Sequence, residues 1–472
     1  MHNWKAASEW AGRFPADPEM IWIAAQAADG SGQQGAAAEL ERKLVYEYPA
    51  SQGASAALPA WQERLRNDRS LAAGWALTAK QAAAWNAAGQ YQKAADTWAQ
   101  AAELAPHKEQ ARLLALETRA WLHAGHLITT ATRLRRLEQT SERDQALEIE
   151  VELARHKGRS QDIPAPLQKL AREFPHSVWY AQALHEAGND AVLAGDDAAV
   201  EARFERLSRQ FPTSGYAPQA LWRAAWTAFR LHDKQVPELM ERYVRAYPHG
   251  PAAVDAIYWR GVWAEQHEDV KLAQACFRVA AERFPGTYFG QEARKRTSVT
   301  PAAGETPAWL KTLATDPEAP VAAPVPSAYA NDVQRATWLQ QAGLLDPAAA
   351  LLAHVAYAVP ARDSLTVARQ LAAVDDEREA WNQGMAVMIR AVPGYMELKP
   401  SQLTVADWHA LFPAPYSDDL RAVAQQFGLD RSLLLGLIRQ ESGFNPSSLS
   451  RAYARGLMQL VLGTARGRLR EL

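Results

Sequence analysis

An aromatic residue followed by proline recurs at Phe174-Pro175, Phe211-Pro212, Tyr247-Pro248 and Phe284-Pro285, at spacings of 37, 36 and 37 residues. No other feature of the chain constrains its folding so tightly. Proline has no backbone N–H and its ring clashes with the carbonyl four residues back, so each pair stops a helix at a fixed interval. An earlier pair, Phe14-Pro15 and Tyr48-Pro49, is 34 residues apart. After each proline comes a first helix: Leu221-Trp222-Arg223-Ala224-Ala225-Trp226 aligns with Tyr258-Trp259-Arg260-Gly261-Val262-Trp263, 37 residues on. A polar turn follows, Gly195-Asp196-Asp197 or His267-Glu268-Asp269. A second helix then carries Val200, Phe204, Leu207 and Phe211 on one apolar face. One such pair cannot bury its own face, so consecutive pairs must stack.

The period resembles that of tetratricopeptide repeats. It predicts an all-α protein whose residues 1–296 form a helical repeat superhelix or partial ring. From Thr297 to Asn331 the pattern fades into a stretch rich in proline (Pro301, Pro307, Pro317, Pro320, Pro324, Pro326), read as a linker over 297–331. Helical patterning resumes over 332–411, and a different segment begins at 412.

Composition narrows the function. A hydrophobic share of 48% and a charged share of 22% suit a water-soluble globular chain. A net charge of −2 excludes strong nonspecific nucleic-acid binding, which needs a basic surface. No apolar run is long enough to span a membrane. Cys276 is the only cysteine, so there is no intrachain disulfide; it reads as buried filler near Phe277 and Ala280. The 17 tryptophans suit stacking on sugar rings, although filling gaps between helices explains most of them. His123 and His126 have ligand-like spacing but no third ligand nearby. Arg133-Leu134-Arg135-Arg136 reads as a solvated helix face. No cofactor or metal is expected.

The chemistry centres on Glu441. Residues Arg431 to Gln440 read as a helix with Leu434, Leu437 and Ile438 on one face, and Glu441 is the next position on that face. Gly443 and Pro446 end the helix just beyond it. Burial and the negative end of the helix dipole both favour the protonated carboxylic acid, the state required of a general acid for glycoside cleavage.

The segment Pro413 to Ala465 resembles the start of the catalytic domain of soluble lytic murein transglycosylases, the SLT family. The matching residues are Pro415-Tyr416, Gly428-Leu429-Asp430, Leu434 to Gln440, Glu441-Ser442, Phe444-Asn445-Pro446, Ser450, Gly456-Leu457-Met458-Gln459-Leu460 and Thr464-Ala465. The resemblance implies a lysozyme-like domain preceded by a helical superhelix, with Glu441 as sole catalytic acid/base. It implies that Ser442 supports the site by hydrogen bonding and that Ser450, Met458 and Gln459 line it. Phe444 and Pro446 are read as fixing the turn. The substrate implied is the peptidoglycan glycan strand, cleaved between N-acetylmuramic acid and N-acetylglucosamine to a 1,6-anhydro product. A single carboxyl group suffices for that route, unlike the two-carboxylate scheme of ordinary glycosidases.

Three departures qualify it. Tyr453-Ala454 stand where the family usually has Gly-Ala, and a tyrosine adopts a positive φ less cheaply than glycine, so a rearranged turn is expected. Val461-Leu462 replace the usual Met-Pro. The family's later Ala-Tyr-Asn motif is not in this chain, so 412–472 is read as the incomplete first part of the domain, with little lytic activity expected of the chain alone. The start lacks the regions of a signal peptide. Periplasmic or cell-envelope location, implied by a murein substrate, therefore calls for an export signal upstream. The alternative function is a helical-repeat scaffold, binding glycan or protein partners, with a dead catalytic remnant.

Overall fold

The computed structural model describes residues 4–12, 16–297, 306–311, 313, 319–450 and 452–468. The Phe14-Pro15 pair, Pro301 and Pro317 lie outside the described residues. Secondary structure among the described residues is helical, with no strand and two isolated bridge pairs, Leu449 with Arg455 and Arg455 with Leu460. The chain is thus all-α. It divides into two compact units, Met1–Leu239 and Met240–Leu472.

The aromatic-proline pairs act as the periodicity predicts. Tyr48, Phe174, Phe211 and Phe284 each cap the C-terminus of a second helix: Gln34–Glu47, Pro164–Glu173, Asp197–Gln210 and Val270–Arg283. Each aromatic amide donates to the carbonyl four residues back, and the proline that follows has no N–H with which to continue. Ser51, Ser177 and Thr287 then cap the next helix with a side-chain oxygen.

In the first unit, helix Val178–Ala194 turns at Gly195, φ 70°, into Asp197–Gln210. Val200, Phe204 and Leu207 are buried there. Gly188 admits the Phe204 ring: a β-carbon built on it would lie 2.5 Å from that ring. In the second unit Gly261, on Ala253–Gln266, plays the same part for Phe277 on Val270–Arg283. Close approach of a small residue to a large one is how each pair fills its interior. Cys276 is buried beside Phe277, and burial pushes its thiol up to about 12.

The run Arg133 to Arg136 is only partly a solvated face. Arg135 and Arg136 are exposed, but Arg133 pairs with the buried Glu117 at 2.8 Å. His123 meets Glu152 at 3.0 Å and His126 packs edge-on to Trp121, so neither stands as part of a ligand set. No helix among the described residues is long and apolar enough to cross a membrane.

After the last repeat of the second unit, helices Ala330–Gln341, Leu345–Ala358, Leu365–Glu377, Trp381–Ala391 and Val405–Leu411 each pack against the next in the chain. They use the same stop with a different residue: Val359 and Val392 cap helices immediately before Pro360 and Pro393, and Phe412 does so before Pro413. The repeat is tied to this region where the Gly286 N–H donates to the Met396 carbonyl at 3.1 Å. Only a glycine fits there, because a β-carbon would stand 2.8 Å from that oxygen.

Candidate functional site

The segment that carries Glu441 begins with helix Ser417–Phe427. It ends at Gly428, φ 63°, and Asp430 caps the next helix, Arg431–Ser442, by accepting from the Ser432 N–H. Leu434 and Ile438, four apart, face inward and are buried. Leu437 is 42% exposed and lies off that stripe.

Arg439 seats the helix. Its Nη2 donates to the Tyr395 hydroxyl at 2.6 Å and its Nε to the Leu411 carbonyl at 3.3 Å. The guanidinium also lies over the Phe412 ring, 4.7 Å from its centre, and over Tyr395 at 5.9 Å. Tyr395 adjoins Met396, the residue that receives the Gly286 bond. The last repeat, the 330–411 helices and the Glu441 helix are therefore connected through consecutive polar contacts. At its end the helix lies against Trp381–Ala391: a β-carbon on Gly443, φ 58°, would meet Met385 Cε at 3.2 Å and Asn382 Cβ at 3.3 Å.

Glu441 is exposed, which corrects the expectation of burial. Its position is at the edge of the Leu434–Ile438 stripe and in the final turn, where Gly443 already bends the chain away. No described element covers that edge. The carboxylate is therefore presented to solvent at the C-terminal end of the helix.

Ser442 joins this end to the following loop. Its hydroxyl donates to the Leu457 carbonyl at 2.8 Å, with the Ile438 carbonyl at 3.3 Å. This brings the Gly456-Leu457-Met458-Gln459-Leu460 run beside the helix terminus. Met458, next to the bonded carbonyl, is 36% exposed. The Gln459 side-chain amide donates to the carbonyls of Ser448 and Gly456, at 3.2 and 3.1 Å. The Ser450 hydroxyl accepts from the N–H groups of Ala452 and Ala454. Both side chains are thus committed to closing the loop on itself.

The loop is strained at three non-glycine residues: Phe444 at φ 69°, Tyr453 at φ 61° and Gln459 at φ 50°. Tyr453 takes the left-handed conformation that a glycine would adopt more cheaply. Burial of Phe444, 1% exposed, offsets its backbone cost. Asn445 accepts from Ser447 N–H in a local turn that completes the bend. Among the described residues no group of three His, Cys, Asp or Glu side chains could hold a metal ion.

Comparison with known proteins finds relatives of the same segment. Residues 420–471 match the model of the transglycosylase SLT domain, and residues 177–300 that of an outer membrane lipoprotein family. The chain is therefore a helical-repeat protein whose residues 420–471 are similar to the transglycosylase SLT domain. Over 46 residues it is 52% identical to the membrane-bound lytic murein transglycosylase C of Haemophilus influenzae, which is 10% of this chain and 13% of that protein. A protein of the same description from Histophilus somni is 44% identical over 61 residues, 13% of this chain and 17% of its own length. The chain thus covers less than a fifth of the length of either relative. In structure, 99% of the chain is similar to 71% of a 70-kDa soluble lytic transglycosylase solved with bulgecin A, with a TM-score of 0.52 and 15% identity. That likeness concerns the fold.

Proposed function

We propose that Glu441 is the general acid/base of a lytic transglycosylase acting on peptidoglycan in the cell envelope. Its carboxylic acid gives a proton to the bridging oxygen as the bond from C1 of N-acetylmuramic acid breaks. The resulting carboxylate takes the proton from the C6 hydroxyl as that oxygen bonds to C1. The products are a 1,6-anhydro sugar and a free N-acetylglucosamine hydroxyl, and no water is consumed. One observation carries the reading: within the SLT-matching segment, the carboxylate sits at a helix terminus that Ser442 ties to a strained loop. Strain at non-glycine residues concentrates at functional sites. In this reading Ser442 is a positioning residue, and Met458 lies beside the sugar. Ser450 and Gln459 shape the loop that lines the site. Residues 1–296 form the repeat domain, 297–331 a linker, 332–411 a connecting helical domain and 412–472 the catalytic segment.

The exposure of Glu441 favours a second reading, a repeat scaffold with a non-catalytic SLT segment. Incubation of murein sacculi with a protein carrying the whole SLT domain separates the two. The enzyme reading expects release of 1,6-anhydromuropeptides that falls about 10²–10⁴-fold in Glu441→Gln. Equal release by both forms would show that Glu441 is not the acid, and release by neither leaves the scaffold reading.

A further inference from the structure

A cleft of about 640 Å³ opens in the second unit between helices Leu365–Glu377, Trp381–Ala391 and Val405–Leu411 and the Phe412–Pro415 connection. Its volume is that of a small-molecule site, and so is its make-up: an apolar surface with a few convergent polar groups. The floor includes Gly384, Met385 and Met388, and the indole of Trp381 forms part of the wall. Asp376 Oδ1 accepts from the indole N–H at 3.0 Å, which fixes the ring's orientation.

The polar groups around this floor have capacity left over. Arg369 gives Nε and Nη2 to the buried Asp407 at 2.7 Å each, and its Nη1 has no partner among the described residues. Asp376 keeps Oδ2 free as an acceptor. His409, which is exposed on the rim, makes no hydrogen bond to the described residues. With His409 neutral the rim carries one net negative charge, since Arg369 and Asp407 cancel. This disfavours an anionic occupant. Uncommitted donors and acceptors spread around an aromatic and aliphatic floor disfavour an acyl chain, which would leave them unpaired. The combination fits an uncharged ring with one apolar face and polar substituents at its edge.

We propose that this cleft binds an N-acetylhexosamine residue of a glycan strand, as a site separate from Glu441. The aromatic wall takes the apolar face of the pyranose, the methionines take the acetamido methyl, and Asp376, Arg369 and His409 take its hydroxyl and amide groups. The choice of a glycan among neutral amphipathic ligands rests on the murein reading above. The cleft would hold a strand beside the connection that leads into the SLT segment.

Calorimetric titration of the full chain with the β-1,4-linked N-acetylglucosamine tetramer tests this, with the glucose tetramer as control. Expected is saturable binding of the acetylated sugar, at least tenfold tighter than the control. Binding should be at least tenfold weaker in Trp381→Ala. Ala373→Trp, at an exposed lining position, fills the cleft without touching the core and should lower the number of tetramers bound per chain by one. Absence of binding in the wild type overturns the proposal. So does equal binding of both sugars, or full binding in Ala373→Trp. Sugar binding by this chain, with no lysis of sacculi by a protein carrying the whole SLT domain, sinks the catalytic reading alone.

Discussion

The guanidinium of Arg439 donates to the hydroxyl of Tyr395 at 2.6 Å, two residues before Glu441 on the same helix. A second bond to the Leu411 carbonyl and the stack on Phe412 make this a planar, three-sided seat. Lysine keeps the charge but lacks the fork and the flat stacking surface. Arg439→Lys is expected to lower stability by about 1–2 kcal/mol. Amide exchange should accelerate in 431–443 and remain unchanged in 345–391, read by mass spectrometry. Uniform acceleration across both regions would mean that the seat is not local.

Ser442 makes a narrower contact. Ser442→Ala removes the bond to Leu457 and costs about 1 kcal/mol. The expected readout is faster proteolysis within 448–462, with the Arg431–Ser442 helix still protected. An unchanged cleavage rate would show that the loop holds itself through Gln459 and Ser450.

Because Glu441 is exposed, its replacement should be nearly silent for stability. Glu441→Gln is expected to melt within about 0.5 kcal/mol of the parent. A large shift in a thermal melt would mean that the carboxylate is held by a contact in solution.

Gly188 is a packing position. A β-carbon there would stand 2.5 Å from the Phe204 ring, so Gly188→Ala should cost about 1–3 kcal/mol through overpacking. Gly188→Ala with Phe204→Leu should recover part of that loss, measured by urea unfolding of the two variants. No recovery would place the strain elsewhere.

The first unit should respond to pH through Glu148. Burial pushes its carboxyl up to about 7, against the pull of the Arg119 guanidinium and with Glu152 adding to the rise. It is packed between Arg119 on His107–His123 and Gln182 on Val178–Ala194. A folded value above the unfolded 4.5 means that the native state holds the proton more tightly. The resulting stability is fully present below pH 4.5 and is lost as pH rises to about 7. Glu148→Gln cannot titrate. Its stability relative to the parent should therefore rise by up to about 3 kcal/mol between pH 4.5 and 7.5. A pH-independent difference in urea midpoints would refute the shift.

What the amino-acid order determined by itself is the local design. The spacing of Phe174, Phe211, Tyr247 and Phe284 before prolines dictates helix pairs of one length, because a missing N–H stops a helix whatever surrounds it. The helix that ends at Ser442, with Gly443 beyond it, was legible for the same reason. The Val359, Val392 and Phe412 stops use the same physics, but without an aromatic repeat at constant spacing they gave no periodic signal. Tertiary structure alone decided what depends on neighbours distant in sequence. The exposure of Glu441 turns on whether any element covers one edge of its helix, and periodicity reports only the face. The Arg439 seat unites residues from three separate segments, and the tether from Ser442 to Leu457 depends on a loop folding back. The positive φ of Tyr453 was accepted because the surrounding turn bonds to Ser450 outweigh a cost that propensity alone would have avoided.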